Sequence, residues 1–197
     1  LVPADLGLAG VVTLDGTVDG PLKQPNVVAK AQVRGGAVKG VTQLEGGVDA
    51  RFIDGRVTGT AQVSSSLGAI DSNFDVPVFG VRDQTSEGLH LEADVRDVSL
   101  EAVQSWRAET WPVTGTLSAH VLLKGPANDP SVSVTVRSDA LTLTRSGALK
   151  QNLVLKPVEV TVASNDAGAL TATVSASTLG AVITSTLGTP LTVPGLR

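Results

Sequence analysis

Glycine and proline residues recur in the same order in two parts of the chain, and this repetition restricts the possible folds more than any other feature. Each recurring position is separated from its counterpart by 105 residues: Gly10, Gly20, Pro21, Pro25 and Val27 recur as Gly115, Gly125, Pro126, Pro130 and Val132. Repetition at a fixed period is typical of stacked units that share one continuous core. We therefore predict two β repeats with a period of about 105 residues, the first at 1–112 and the second, which we expect to be truncated, at 113–197.

A second correspondence follows in the same order, with a larger offset. The segment Leu67–Ile70 (LGAI) recurs as Leu179–Val182 (LGAV), 112 residues later, so the second copy carries about seven extra residues between Pro130 and Leu179. The chain begins with Leu1 and reaches Arg197 without an obvious terminal element. We expect it to be a fragment of a larger protein, with any membrane anchor outside this segment.

Within each unit, apolar and polar residues alternate with period two. The clearest run has Leu117, Ala119, Val121 and Leu123 between Thr116, Ser118, His120 and Lys124. Such alternation predicts strands with one apolar and one wet face. The 30 Val and 20 Thr among 197 residues favour strands, and pairs such as Asp54-Gly55 and Asp129-Pro130 predict turns between them.

One segment has helical spacing instead. Leu100, Val103 and Trp106 lie three residues apart behind Ser99 or Asp97, either of which is a suitable N-cap. We predict one short helix near 98–107, at the end of the first repeat. The predicted fold class is all-β: an elongated, curled antiparallel sheet, groove-like in shape, built from the two repeats.

The residues needed for catalysis or metal binding are scarce. The only two histidines, His90 and His120, fall on the polar faces of predicted strands, and no Gly-x-Ser-x-Gly segment surrounds a serine. Glu92 and Asp94 share a strand face, as many exposed carboxylates do. The glycine cluster at 35–40 lacks a Gly-Lys-Ser/Thr ending and is interpreted as a turn or bulge. We predict no enzyme, no catalytic residues, no metal site and no cofactor.

Charge and cysteine content exclude other classes. The chain has a net charge of −4, its Lys and Arg residues are scattered, and it has few aromatic residues, so we expect no nucleic-acid partner. Without cysteine there is no disulfide framework or thiolate metal site.

The apolar strand faces are the remaining candidate for function, with two interpretations. They form either an ordinary closed core or a trough open to small apolar ligands, which would hold acyl chains through buried area at about 0.8 kcal/mol per methylene. For the trough we predict one continuous lining that acts collectively, made of Leu89, Leu91, Val95, Leu117, Ala119, Val121, Leu123, Val132, Val134, Val136, Val174 and Ile183.

The start of the second repeat resembles a known family. The segment Val113–Pro126 (VTGTLSAHVLLKGP), followed by Asp129-Pro130-Ser131-Val132, is similar to the recurring unit of the TamB and AsmA-like proteins. The helical segment Val98–Val103 precedes it, as in that family, and Leu8–Val28 carries a weaker copy. Together these matches cover about half of the chain.

The resemblance implies a tapered, taco-shaped β groove within a large periplasmic protein of a Gram-negative bacterium, anchored in the inner membrane and reaching toward the outer membrane. It implies phospholipid acyl chains as partners and, for TamB, an Omp85-type outer-membrane barrel. Two functions remain open within the family: phospholipid transport between the membranes and assembly of outer-membrane proteins. Outside the family, the alternative is a ligand-free structural or adhesive surface repeat.

Overall fold

Nearly all of the described chain is β-strand. The structure is a computed structural model that describes residues 9–22, 24–38, 41–78, 88–107, 111–126, 129–144, 152–164, 170–176 and 181–185, without the side chains of 106–107 and 181–185. The strands are β1 (Ala9–Asp19), β2 (Asn26–Val38), β3 (Val41–Ile53), β4 (Arg56–Ser65), β5 (Gly68–Pro77), β6 (Gly88–Ser99), β7 (Val113–Pro126), β8 (Ser131–Ser138), β9 (Leu141–Leu143), β10 (Leu153–Leu155), β11 (Val158–Ser164), β12 (Leu170–Ala176) and β13 (Ala181–Ser185). One helix, α1 (Leu100–Arg107), lies between β6 and β7.

The strands form one antiparallel sheet in chain order. The path runs from β1 through β8 and continues with β11, β12 and β13, while the short β9–β10 hairpin joins through β7. In the described part of the chain β1 pairs only with β2 and β13 only with β12, so the sheet is not closed. The predicted fold class, an all-β elongated and curled sheet with one short helix, is confirmed. Strand spacing of about 4.8 Å makes the eleven-strand path roughly 50 Å wide.

The two sequence repeats pair their strands in the same register. In the first copy Ala9 pairs with Ala37 and Thr13 pairs with Gln32. In the second copy Thr114 pairs with Thr142 and Ser118 pairs with Arg137, and each of these residues lies 105 positions after its counterpart. The turns match as well: Gln24 N donates to Pro21 O at 2.9 Å, and Asp129 N donates to Pro126 O at 3.0 Å. The β6–β7 pairing carries the sheet from one copy into the next without interruption.

Gly10 and Gly115 occupy equivalent bulges, and both need glycine. Their φ angles are 118° and 135°, in a region that side-chain-bearing residues rarely adopt. A Cβ on Gly10 would lie 2.7 Å from Gly36 Cα, and one on Gly115 would lie 2.6 Å from Ala140 O. The glycine cluster in β2 is part of the same bulge, because register shifts occur on both sides of Gly36, as the sequence interpretation expected. Residues 39–40 lie outside the described residues.

The copies differ where extra residues interrupt the second one. Two residues separate β2 from β3, whereas nine separate β9 from β10, and this difference of seven accounts for the change in offset from 105 to 112. The first copy has continuous strands β2 and β3; in the second, the corresponding strands are divided into β8 and β9, and into β10 and β11. The insertion therefore lies between Leu143 and Leu153.

Helix α1 is the last element of the first repeat and is hydrogen-bonded to the start of β7. Ser99, not Asp97, is its N-cap, because Ser99 Oγ accepts a hydrogen bond from Ala102 N at 3.2 Å. Gln104 Nε2 donates to Val113 O at 2.7 Å, and Glu101 Oε1 accepts from Gly115 N at 3.1 Å. Leu100 is buried, so the helix covers one end of the sheet near β6 and β7.

Candidate functional site: an apolar sheet face

Cross-strand pairing places apolar residues on one face of the sheet along its whole path. Directly paired residues of antiparallel strands point to the same face, so the ladder defines continuous rows. The longest row is Val12, Val33, Gly46, Val63, Ile70, Val95, Ala119, Val136, Val160, Val174 and Ile183. The next row is Leu14, Ala31, Val48, Ala61, Ser72, Ala93, Val121, Val134, Val162, Ala172 and Ser185. We call the face that carries these rows the apolar face.

The residues predicted to line a trough share this face. Val95, Ala119, Val136 and Val174 lie in the first row. Val121 and Val134 lie in the second row, while Leu91, Leu123 and Val132 form part of a third. Leu89 and Leu117 follow by alternation along β6 and β7. Ile183 pairs with Val174 through the backbone, and its side chain lies outside the described residues. Contact with acyl chains stays a prediction for all twelve.

Most of the described apolar face is accessible to solvent. The apolar-face side chains of β7, β8 and β12 are half-buried, while in β1 Val12, Leu14 and Val18 are 69%, 74% and 71% exposed. Leu89 and Val158 lie on the same face but are buried, at 9% and 7% exposed, so the predicted lining residue Leu89 is not part of the open surface. Contiguous exposed apolar surface of this kind marks sites for ligands, partners or membranes.

The opposite face of the sheet is polar and carries cross-strand ion pairs. Lys30 Nζ lies 2.8 Å from Asp49 Oδ1, and Arg137 Nε lies 2.9 Å from Glu159 Oε2. Arg96 pairs with Asp71 on the same face. The sheet is therefore amphipathic over β1–β8, β11 and β12, with ion-paired side chains on one face and mainly apolar side chains on the other.

Both histidines lie on this polar face, as the alternation predicted. The side chains of His90 and His120 are 46% and 44% exposed. The sheet brings His120 together with Glu92 and Asp94, an arrangement that the sequence interpretation missed. Glu92 and Asp94 are visible as an i, i+2 pair, but the position of His120 opposite Asp94 depends on the register between β6 and β7.

Strand β1 provides a second accessible feature, an edge. It is eleven residues long, every residue in it is exposed, and within the described ranges it pairs with β2 alone. Its free backbone groups can pair with a strand from another chain.

Comparisons with other proteins leave the family open. The chain matches no protein-family model, no curated protein and no solved structure. Among the described residues, no helix has the length and hydropathy required to cross a membrane.

Proposed function

We propose that this chain is a segment of a periplasmic bridge between the inner and outer membranes of a Gram-negative bacterium, and that its apolar face carries phospholipid acyl chains. The observation that carries the proposal is the register, which keeps one face mainly apolar from β1 to β8 and on through β11 and β12. The resemblance of 113–126 to the TamB and AsmA-like repeat supports the envelope setting.

The geometry of the apolar face suits acyl chains better than a small rigid ligand. It is long, open and lined by Val, Leu, Ile and Ala, with few polar groups that could orient a ligand. Burial of methylene groups contributes about 0.8 kcal/mol each without directional contacts, so a chain can slide along the face with little change in free energy. Headgroups would remain in water at the rim of the sheet.

Lipid extraction and native mass spectrometry of the purified chain test this proposal. We expect phospholipid to co-purify with the protein and Val121→Asp to abolish its retention, since a carboxylate would then lie in the middle of the apolar face. Thr135→Asp is the matched control, because it adds the same charge on the polar face of the neighbouring strand.

Two results would contradict the transport proposal. A chain that neither retains lipid nor takes it up from phospholipid vesicles would favour the ligand-free structural repeat. Unfolding of Val121→Asp, seen by circular dichroism while Thr135→Asp stays folded, would indicate a sealed core in place of an open face.

Assembly of outer-membrane proteins is the second candidate, favoured by the exposed edge of β1. An unfolded barrel strand could extend the sheet there by β-augmentation. The double variant Thr13→Lys/Thr17→Lys, changed on the polar face of β1, would protect this edge from pairing with another strand. We expect the double variant to lose binding of an outer-membrane strand peptide and keep lipid retention if this candidate is right; unchanged peptide binding would exclude it.

A further inference from the structure

The only two histidines of the chain lie beside the same carboxylate on the polar face. Glu92 Oε2 is 3.7 Å from His90 Nε2, and Glu92 Oε1 is 3.8 Å from His120 Nε2. His120 Nδ1 is 2.9 Å from Asp94 Oδ1. Two imidazoles and two carboxylates therefore form one group on β6 and β7.

Backbone pairing fixes the positions of these side chains. His90, Glu92 and Asp94 alternate along β6 and so point to one face, and His120 on β7 pairs directly with Asp94. Sites on regular strands are held more firmly than sites on loops.

The charges around the group favour a cation. The neighbouring carboxylates of Asp71 and Asp75 are paired with arginines, Arg96 and Arg56 respectively. Within the described part of the chain, Glu92 instead contacts Asn73, at 3.3 Å, and the two histidines.

Asp94 has only an imidazole as its polar partner among the described side chains, at His120. Arg96 and Arg137 line the same cavity as Asp94 and His120, but they pair with Asp71 and Glu159, so among the described residues no lysine or arginine forms an ion pair with Glu92 or Asp94. Lys124 pairs across the sheet with His90 and opposes a cation at that end of the group.

We propose that Glu92, Asp94 and His120 bind a divalent transition-metal ion of the Zn²⁺ class, with His90 as a weaker fourth ligand. The ligand atoms of Glu92, Asp94 and His120 lie within 4.8 Å of one another. Zinc bonds of about 2.0–2.2 Å bring tetrahedral ligand atoms to roughly 3.4 Å apart, which rotation of exposed side chains can achieve. Mixed imidazole and carboxylate ligands suit Zn²⁺, whereas Mg²⁺ and Ca²⁺ prefer oxygen alone.

A metal ion bound here would connect β6 to β7, the two strands where the first repeat meets the second. Because the ligands belong to both strands, binding would stabilise the folded sheet at this junction. The site is on the face opposite the proposed lipid surface and is independent of that function.

Titration of the tag-free chain of residues 1–197 with ZnCl₂, followed by calorimetry and native mass spectrometry, tests the site. We expect one Zn²⁺ per chain and a rise in Tm, with MgCl₂ producing neither. His120→Ala should weaken binding at least about tenfold and His90→Ala about threefold. Asp49→Asn and Glu159→Gln are matched controls, because these carboxylates lie on the same face but pair with Lys30 and Arg137.

Three results would overturn the proposal. They are absence of Zn²⁺ binding by the folded chain, binding that His120→Ala leaves unchanged, and an equal loss of affinity in Asp49→Asn. Circular dichroism of His120→Ala must match that of the unmodified chain; if this variant is unfolded, His120→Gln, which keeps a polar side chain of similar size, replaces it in the same comparison.

Discussion

The two repeats have the same backbone pairing, but they differ in side-chain size along one row of the apolar face. In the first copy one row of the apolar face consists of Gly16, Ala29, Ala50 and Gly59. The same row continues through Phe74 and Leu91 at the end of the first copy into Leu123 and Val132 in the second. Turns and glycine bulges determine the strand register in both copies, whereas the size of the side chains on the apolar face varies independently of that register. In this row the side chains are therefore largest from β5 to β8.

The largest expected effect compares the two equivalent bulges. We expect Gly115→Ala to reduce the free energy of unfolding by about 3 kcal/mol, because the new Cβ meets backbone and φ is positive. Gly10→Ala introduces the same strain in the terminal strand β1, which can fray, so we expect about 1 kcal/mol. Urea unfolding monitored by circular dichroism measures both; equal losses would contradict this difference between the copies.

Lipid affinity should differ between equivalent positions on the apolar face. Ala29 and Val134 are related by the 105-residue offset. We expect Val134→Asp to weaken phospholipid binding about tenfold and Ala29→Asp about threefold, a difference of about 0.7 kcal/mol in binding free energy. Titration with a fluorescent phospholipid tests this, and a larger effect at Ala29 would place the lipid on the first repeat.

The Gly115 bulge also depends on the helix. Glu101 Oε1 accepts from Gly115 N at 3.1 Å, and Ser99 Oγ donates to Glu101 Oε2 at 3.1 Å. We expect Glu101→Ala to cost about 1 kcal/mol of stability, as these hydrogen bonds are exposed to water. Glu101→Gln keeps an acceptor and should cost less; a loss in Glu101→Gln as large as in Glu101→Ala would mean that charge alone is responsible.

The smallest effect concerns one ion pair that only the second copy has. Arg137 and Glu159 pair across β8 and β11, while the positions equivalent to them in the first copy are Gln32 and Gly47. Arg137→Ala should cost about 0.4 kcal/mol at low salt and nothing measurable in about 1 M NaCl, because both side chains are exposed. Gln32→Ala is the control and should show no salt dependence in its unfolding midpoint.

Much of the sheet could be predicted because the residue patterns that specify it can be read from the sequence without knowledge of the strand register. Period-two alternation at Val132, Val134 and Val136 specifies one apolar face, and the recurrence of Gly10 as Gly115 specifies a second bulge. The N-cap at Ser99 and the spacing of Leu100 and Val103 predicted the helix for the same reason.

Features that depend on register or on unusual backbone could not be predicted. The bulge between Val95 and Val98 contains Asp97 at a φ of 56°, and nothing in its sequence distinguishes it from an ordinary strand residue. That bulge helps to determine which β7 residue faces Asp94, so the grouping of His120 with Glu92 and Asp94 emerges only from the folded sheet.

Single-cysteine probes can show whether the apolar face is open to acyl chains, since the chain has no cysteine of its own. Val134 and Thr135 are adjacent in β8 and point to opposite faces. We would label Val134→Cys and Thr135→Cys with a fluorophore and add phospholipid that carries a nitroxide on its acyl chain. We expect strong quenching of the probe at 134 and little at 135; equal quenching at both positions, or none at 134, would show that acyl chains do not bind the apolar face.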